Sequence, residues 1–431
     1  MTEQVTTRST PPSTDDQPPS SSTQTTAPAA KAVPGAARFL AEGFSDFSGQ
    51  RVGLIASRAS VLDGRSVIDL LAESSKVDLV AIFTPEHGLR ADGGAGEIIA
   101  DEIDPITGLP VFSLYGNTRQ PTSQMLEGID VLLFDLQDVG ARYYTYTATM
   151  GLAMQAAARA GIPFVVLDRP NPLGGRSADG ALREPGQESF VSQYPTPALH
   201  GMTTGELALA VKGQRWLADL DDLDLRVMEL ANWNRADLWA DTGLSWIPPS
   251  PGLPTAAAAA VYPATVLFEA TTLSYGRGTD HPFQQIGAPW IDGEALAESL
   301  NGESLNSDSL DGVRFVPVTF VPSTNPANGP VAVDPQYEGV EVSGVRLEIV
   351  DGAVLRPAAV GMHLLAAVLA QAAAADEPIE VIERGQFFDL LAGSSSIRTA
   401  LLAGASPESV IDDWAPGLAS FEALRAEYLL Y

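Results

Sequence analysis

Several short segments of the chain collect side chains that can move protons or bind polar ligands. Carboxyl and imidazole groups act as general acids and bases, and the planar guanidinium group of arginine matches the shape of a carboxylate. The candidate site residues are Glu86, His87, Asp138, Arg142, Tyr143, Tyr144, Asp168, Arg169, Asn171, His200 and Arg277. The elements that precede these residues determine whether their side chains can meet.

Most of the candidate residues follow apolar runs that are typical of buried strands. Runs rich in β-branched residues alternate with helical stretches, and this pattern predicts a doubly wound parallel sheet. The predicted strands are Val52–Ala56, Leu79–Phe83, Val111–Leu114, Val131–Phe134 and Phe164–Leu167, with helices near Val67–Ser74 and Thr149–Ala160. Ligands bind such sheets beyond the carboxyl ends of the strands. We therefore expect the segments after Phe83, Phe134 and Leu167 to face one cleft.

The residues at the strand ends also have structural interpretations. Asp135 and Asp168, which follow strands, can each cap a helix or pair internally with an arginine. Pro85 and Gly88 predict a rigid turn around Glu86 rather than a helix start, which favours a functional role for Glu86. His87 taken alone is typical of a buried structural histidine, and its position next to Glu86 leaves both roles open.

The later segments leave similar alternatives. His200 precedes Thr203 and Glu206, whose spacing resembles a helix capping box. Arg277 lies between two glycines, which indicates either backbone held close to a ligand or an ordinary tight loop. About half of the tyrosines in Tyr143–Tyr146 would be core residues in a structural interpretation.

Length and composition predict two folded domains after a disordered tail. Of 431 residues, 45% are hydrophobic and 18% are charged, which is ordinary for globular proteins but long for one core. Residues 1–36 form a low-complexity tail rich in Ser, Thr and Pro, and we expect it to be disordered. We expect a Rossmann-like domain over residues 37–247. After the rigid stretch Pro248–Pro251, a smaller α+β domain over residues 248–431 would complete the cleft. The predicted fold class is thus α/β, a Rossmann-like parallel sheet domain with a second, smaller α+β domain.

Charge and missing motifs exclude several classes of function. The chain has 25 Lys and Arg against 54 Asp and Glu, a formal charge of -29 that repels nucleic acid and anionic lipid. It has no cysteine, which excludes disulfides, thiolate metal sites and cysteine nucleophiles. It also has no apolar run of membrane-spanning length and no secretory pattern, so we expect a cytoplasmic protein. Gly93–Gly96 does not match a dinucleotide fingerprint, and no histidine pair has zincin spacing. We expect a small-molecule ligand, with no cofactor and no metal.

Taken together, the motifs resemble the exo-β-N-acetylmuramidase (NamZ-type) family. The resemblance covers about Ala37 to Tyr431 in order. The motifs that carry it are Phe83–Gly88, Ser113–Gly116, Phe134–Tyr146, Leu167–Pro172, His200–Thr203, Gly276–Thr279, Gly287–Trp290 and Tyr428–Tyr431. The resemblance implies a Rossmann-like domain, a smaller C-terminal domain, and a cleft that removes terminal N-acetylmuramic acid from peptidoglycan fragments.

The reaction that the resemblance implies predicts roles for the candidate residues. The glutamate of the Pro-Glu-His-Gly motif, Glu86, would be the general acid, and His87 would position it or tune its proton. Asp138 would be the base or electrostatic partner, unless the 2-acetamido group of the substrate attacks the anomeric carbon. The lactyl carboxylate of muramic acid would bind one of the arginines Arg142, Arg169 and Arg277. Tyrosines 143, 144 and 146 would face the sugar ring.

The chain departs from the family pattern at Gly252, Ala270, Thr272 and Tyr275. These changes remove asparagines and a glutamate from segments expected to face the cleft. Two other functions therefore remain under consideration, a non-catalytic muropeptide-binding or sensing protein and a hydrolase for a different amino sugar.

Overall fold

The computed structural model describes residues 1–2, 4, 30–90, 93–94, 96–304 and 307–431. Lys31–Tyr431 forms one compact unit. Most of the predicted tail, residues 1–36, lies outside the described residues. Of its last residues, Ala32 is buried and Val33 pairs with Ala231. Within the described ranges, none of the helices combines the length and the apolarity needed to cross a lipid bilayer.

A sheet of seven strands is the central element of the described chain, in the order β5-β6-β4-β1-β7-β8-β9. Its strands are β1 (Arg51–Ala56), β4 (Asp78–Thr84), β5 (Glu102–Ile103), β6 (Pro110–Ser113), β7 (Val131–Asp135), β8 (Phe164–Leu167) and β9 (Leu225–Met228), while β2 (Val61–Leu62) and β3 (Arg65–Ser66) form a separate hairpin. Only β5 runs antiparallel to its neighbour. When the six parallel strands are counted along the chain, their order across the sheet is 3-2-1-4-5-6, which is the order of a Rossmann sheet. In a Rossmann sheet, the ligand crevice opens between the carboxyl ends of the first and fourth of these strands. Here these two strands are β1 and β7.

Burial explains which strands the sequence predicts. All five residues of β7 are buried, and so are five of the six residues of β1, as expected for strands covered on both faces. The strand β9 lies at the sheet edge, and none of its residues is fully buried. The sequence of β9 therefore has no continuous apolar run, and this strand was not predicted.

A second, smaller sheet consists of β10 (Gln285–Ala288), β12 (Val342–Ile349) and β11 (Val313–Phe320), all antiparallel. The helices are α1 (Gly35–Arg38), α2 (Phe44–Phe47), α3 (Val67–Ala72), α4 (Tyr146–Ala160), α5 (Thr204–Gly213), α6 (Ala256–Thr265), α7 (Gly293–Glu303), α8 (Pro357–Ala373), α9 (Gly385–Ala392), α10 (Ser395–Leu402), α11 (Pro407–Asp412) and α12 (Ala415–Arg425), with a π-helical turn at Phe39–Gly43 and 3-10 turns at Trp239–Thr242, Val266–Ala270 and Asp308–Leu310. The predicted fold class is confirmed.

The hydrophobic core connects the two sheets. Phe134 of β7, Ile286 of β10 and Phe421 of α12 belong to one buried cluster. A second cluster, which includes Phe39 and Leu71, covers the other face of the parallel sheet. The loops after β4 and β7 are thus anchored on a rigid base, which is what a site needs in order to hold its side chains at fixed distances.

Candidate active site

A cleft of about 390 Å³ opens at the carboxyl ends of β4 and β7. The loops after these strands form one wall, and the segments around residues 250–253, 262–283, 330–332 and 384–391 form the rest. Its polar and charged side chains are Glu86, His87, Tyr115, Tyr143, Tyr144, Thr145, Ser250, Tyr262, Glu269, Tyr275, Arg277 and Arg384. The cleft therefore combines two carboxyl groups, an imidazole, two guanidinium groups and several hydroxyls.

The first carboxyl group, that of Glu86, lies in a turn at the end of β4. His87 and Gly88 both have positive φ angles, 74° and 78°, and the Gly88 N–H donates to the carbonyl of Pro85 at 3.1 Å. A left-handed histidine is uncommon, and such backbone conformations concentrate at functional sites. The turn directs the Glu86 side chain into the cleft lining, where it remains only 6% exposed.

Both carboxylate oxygens of Glu86 accept hydrogen bonds. The Gly96 N–H donates to Oε1 at 2.8 Å, and the Thr145 hydroxyl donates to Oε2 at 2.7 Å. Thr145 is the N-cap residue of α4, so this contact joins the loop after β4 to the helix that follows β7. The carboxyl group is thereby fixed from two sides.

His87 is held by the same loop. Its Nδ1 lies 2.8 Å from the carbonyl oxygen of Gly93, so Nδ1 carries the proton, and Nε2 is left as the acceptor in the neutral ring. Burial lowers the pKa of His87, although the negative charge of Glu86 opposes the shift. The ring is therefore neutral at neutral pH.

Tyrosine rings build the wall beside Glu86. Tyr143 meets Tyr262 edge to face at a centroid distance of 6.1 Å, and Tyr144 packs against Tyr146 at 4.6 Å. The Tyr146 hydroxyl donates to the carbonyl of Pro249 at 2.6 Å, which holds the neighbouring cleft segment against α4. Tyr143 and Tyr144 thus face the cleft, while Tyr146 is fully buried.

The opposite wall carries the cationic groups. Arg277 donates to the Tyr275 hydroxyl at 3.3 Å, and Arg384 lies over the ring of Phe387 with its guanidinium carbon 4.3 Å from the centroid. In the described part of the chain, neither arginine forms an ion pair. Both guanidinium groups therefore have N–H donors free for a ligand.

Glu269 supplies the second carboxyl group of the cleft, and sequence reasoning did not select it. It lies in the 3-10 turn Val266–Ala270, whose other four residues are buried. Burial raises the pKa of Glu269 to about 7, with Arg277 and Arg384 opposing the shift and Glu86 adding to it. Near neutral pH, this carboxyl group is divided between its neutral and charged forms.

Comparisons with known proteins identify the family of the chain. Residues 52–257 match the family described as "Exo-beta-N-acetylmuramidase NamZ, N-terminal", and residues 260–431 match its C-terminal counterpart. The chain belongs to the NamZ family. It is 40% identical, over 94% of its own length and 93% of the relative's, to the protein named peptidoglycan beta-N-acetylmuramidase NamZ of Bacillus subtilis.

Solved structures extend the likeness to the fold. A DUF1343 family protein of Bacteroides fragilis superposes with a TM-score of 0.81 at 37% identity, covering 93% of this chain and 99% of that one. A second DUF1343 family protein of the same organism gives a TM-score of 0.74 at 30% identity, with the same coverage.

Within this NamZ-family fold, several predicted site residues lie beneath the cleft rather than in its lining. Arg169 pairs with Asp135 through two hydrogen bonds of 2.7 and 2.9 Å, which is the internal Asp–Arg alternative. Asp168 accepts from the Thr203 hydroxyl at 2.6 Å and the Gly205 N–H at 2.8 Å, at the start of α5. The Arg169–Asp135 pair thus joins the ends of β7 and β8, and Asp168 joins the end of β8 to α5.

Arg142 and Asn171 also form hydrogen bonds to backbone carbonyls within the protein. The Arg142 guanidinium donates to four backbone carbonyls at 2.7 to 3.0 Å, those of Ala181, Thr196, Leu391 and Ala392. Asn171 donates to the carbonyl of Met202 at 3.0 Å. Arg142 therefore ties the loop after β7 to the end of α9 and has little capacity left for a substrate.

Asp138 and His200 form a buried pair below the cleft. Oδ2 of Asp138 accepts from the Gly140 N–H at 2.7 Å and lies 3.9 Å from Nε2 of His200. Burial raises the pKa of Asp138 to about 7 and lowers the pKa of His200 to about 3. At neutral pH the histidine is uncharged, so the two residues are not an ion pair. The capping box predicted at Thr203 and Glu206 is present at the start of α5.

Of the predicted site residues, the structure thus brings Glu86, His87, Tyr143, Tyr144 and Arg277 to the cleft. Among the described residues, no group of three or more His, Asp or Glu side chains is arranged to hold a metal ion.

Proposed function

We propose that this chain is an exo-acting glycosidase that releases terminal non-reducing N-acetylmuramic acid from peptidoglycan fragments in cell-wall turnover, with Glu86 as its general acid. The coarser part of this proposal, a β-N-acetylmuramidase acting on peptidoglycan, follows from membership in the NamZ family and from the name of the Bacillus subtilis relative. The finer part depends on the cleft.

The position of Glu86 is the observation that carries the proposal. Its carboxyl group is held by the Gly96 N–H and the Thr145 hydroxyl in the lining of the cleft. Cleavage of a glycosidic bond needs a proton on the leaving oxygen, and a fixed carboxyl group can deliver it without reorganisation. His87, neutral and anchored to Gly93, keeps the turn in place.

The second chemical role falls to the 2-acetamido group of the substrate in our proposal, because Asp138 lies outside the cleft lining. The Glu86 proton passes to the glycosidic oxygen as the C1–O bond breaks, and the bonding electrons leave with that oxygen. The acetamido oxygen then forms a bond to C1. Water adds to C1 as the bond between C1 and the acetamido oxygen breaks, its proton returns to Glu86, and the acetamido group is restored.

Arg277 is our proposed partner for the lactyl carboxylate of muramic acid. Arg142 and Arg169 already bind backbone carbonyls and Asp135, whereas Arg277 faces the cleft with free donors. A planar guanidinium group can bind a carboxylate through two parallel hydrogen bonds. This contact would distinguish muramic acid from glucosamine, which lacks the lactyl group.

A hydrolase for another amino sugar is the second candidate, and the family departures motivate it. Gly252 and Tyr275 both line the cleft. A Cβ atom at position 252 would lie 2.9 Å from the ring of Phe283, so the glycine leaves this wall more open than an asparagine would.

Purified protein tested on para-nitrophenyl glycosides distinguishes these functions. The proposed enzyme releases nitrophenol from the β-N-acetylmuramide much faster than from the β-N-acetylglucosaminide. Faster turnover of the glucosaminide would identify the second candidate. Binding of N-acetylmuramic acid without turnover of either glycoside would identify a sensing protein instead.

A further inference from the structure

Glu269 is an acidic side chain in an unusual position for a cleft that would bind an anionic sugar. The other residues of its turn, Val266, Leu267, Phe268 and Ala270, are 0–5% exposed, so the turn is fixed in the core. Glu269 lies in the cleft lining. Among the described residues, no side chain or backbone N–H donates a hydrogen bond to its carboxylate oxygens.

The two unpaired arginines of the cleft lie close to this carboxyl group. Arg384 donates to the backbone carbonyl of Glu269 at 3.5 Å, and the charge of Arg277 acts on the Glu269 carboxyl more strongly than any other charge does. Neither arginine forms an ion pair with Glu269, although both face the same cavity. The part of the cleft that is lined by Glu269, Arg277 and Arg384 can therefore bind a further anionic group.

We propose that Glu269, Arg277 and Arg384 form a subsite for the carboxylate of the substrate, and that Glu269 contacts this carboxylate as a neutral acid. The inference deepens the proposed function and rests on it. A neutral carboxyl group donates its O–H to the ligand carboxylate, while the guanidinium groups supply charge. A charged Glu269 would instead repel the ligand, so its protonation state controls binding.

Electrostatics support this role. The charged and titratable groups that interact with Glu269 are Arg277, Glu86, Arg384, Tyr262 and Tyr275. Burial favours the neutral form and raises the pKa of Glu269 to about 7, although the charges of Arg277 and Arg384 oppose the shift. A ligand carboxylate beside it adds a like charge and raises that pKa further. Binding above neutral pH must therefore be accompanied by uptake of a proton.

Calorimetry with N-acetylmuramic acid tests this prediction independently of turnover. Titrations at pH 7.5 in buffers of different ionisation enthalpy report the protons exchanged on binding. We expect the wild type to take up between about half a proton and one proton per site. Glu269→Gln, which keeps a donor and the side-chain shape, should bind the sugar with no proton uptake. N-acetylglucosamine, which has no carboxylate, should bind the wild type without proton uptake.

Matched variants separate this role from a structural one. Glu341→Gln removes an exposed carboxyl group outside the cleft lining and should retain the full proton uptake.

Arg384→Gln should weaken binding of N-acetylmuramic acid about tenfold and leave binding of N-acetylglucosamine unchanged, since one hydrogen-bonded charge contact is worth about that factor. This variant keeps the inference testable even if Glu269→Gln fails to fold.

The outcomes distinguish the inference from the proposed function. Binding of N-acetylmuramic acid to the wild type without proton uptake, or uptake that persists in Glu269→Gln, would overturn the subsite while leaving hydrolysis intact. Absence of both binding and muramide turnover would overturn the proposed function together with the subsite.

Discussion

The Thr145 hydroxyl donates a hydrogen bond of 2.7 Å to Oε2 of Glu86, although 59 positions separate the two residues in the chain. Thr145 begins the helix after β7, and Glu86 follows β4, two strands away on the other side of β1. The contact therefore spans the crevice of the Rossmann sheet. It fixes the orientation of the carboxyl group to which we assign the chemistry.

Removing this hydrogen bond should slow turnover without unfolding the protein. Thr145→Val keeps the side-chain volume but loses a bond to a carboxyl group worth about 1.5–3 kcal/mol, which corresponds to about a 10- to 100-fold lower kcat. Thr149→Val is the matched control, because the buried hydroxyl of Thr149 in α4 has no hydrogen-bond partner in the described part of the chain. Equal kcat values for the two variants on the chromogenic muramide would show that Thr145 does not position Glu86.

The guanidinium fork of Arg277 should determine sugar preference. Arg277→Lys keeps the charge but cannot form two parallel hydrogen bonds to a carboxylate. We expect KM for the muramide to rise about tenfold, the equivalent of about 1.4 kcal/mol, with KM for the glucosaminide unchanged. A parallel rise in both KM values would assign Arg277 to a general structural role.

Arg142 should contribute to stability rather than to substrate binding. Arg142→Met leaves four buried carbonyl acceptors without their donor, so we expect the free energy of unfolding to fall by about 3 kcal/mol or more. The control Arg159→Met removes a half-exposed ion pair with Asp219 and should cost at most about 1 kcal/mol. Urea denaturation measures both. A stable Arg142→Met protein with a strongly raised KM for the muramide would instead support the substrate role predicted from sequence.

Asp138 should make the stability of the protein depend on pH. Burial raises its folded pKa to about 7 from 3.8, so the folded state binds more protons than the unfolded state between these values. Its contribution to stability is therefore present below pH 3.8 and is lost as pH rises through about 7. Asp138→Asn cannot ionise, so we expect its stability relative to the wild type to rise between about pH 4 and pH 7 and to level off above pH 7.

Turnover of the same variant tests the catalytic role predicted for Asp138. Its side-chain oxygen can still accept from the Gly140 N–H, and the residue lies outside the cleft lining. We expect the folded variant to retain kcat within a few-fold. A loss of several orders of magnitude in kcat without a loss of thermal stability would place Asp138 in the reaction and exclude purely substrate-assisted catalysis.

Much of the fold could be predicted because the buried strands have continuous apolar sequences. Phe164–Leu167 matches its predicted bounds, and Val131–Phe134 falls one residue short of β7. The short strand Gln285–Ala288 is also fully buried, but its sequence Gln-Ile-Gly-Ala carries no β-branched run. Its place in the second sheet depends on pairing with β12, a long-range contact that the local sequence does not encode.

The candidate site could be predicted where chemistry follows a strand and at Arg277, which lies between two glycines. Glu86 follows β4, and the Pro-Glu-His-Gly turn around it predicted a functional role. Glu269 follows the helix α6 instead, and Arg384 precedes α9, so strand-end reasoning missed both. The same reasoning selected Asp168 and Arg169, whose side chains turn inward because Thr203 and Asp135 offer buried partners. Such pairing is decided by tertiary packing rather than by position along the chain.

The most direct test of the account compares Glu86→Gln with the wild type on two substrates. A general acid contributes about 10²–10⁴-fold to rate, and its contribution grows as the leaving group becomes poorer. We therefore expect kcat to fall by about that factor on a muramyl disaccharide, and by less on the nitrophenyl muramide, whose leaving group needs little protonation. A folded Glu86→Gln protein that cleaves the disaccharide at the wild-type rate would contradict the assignment of Glu86 as the proton donor.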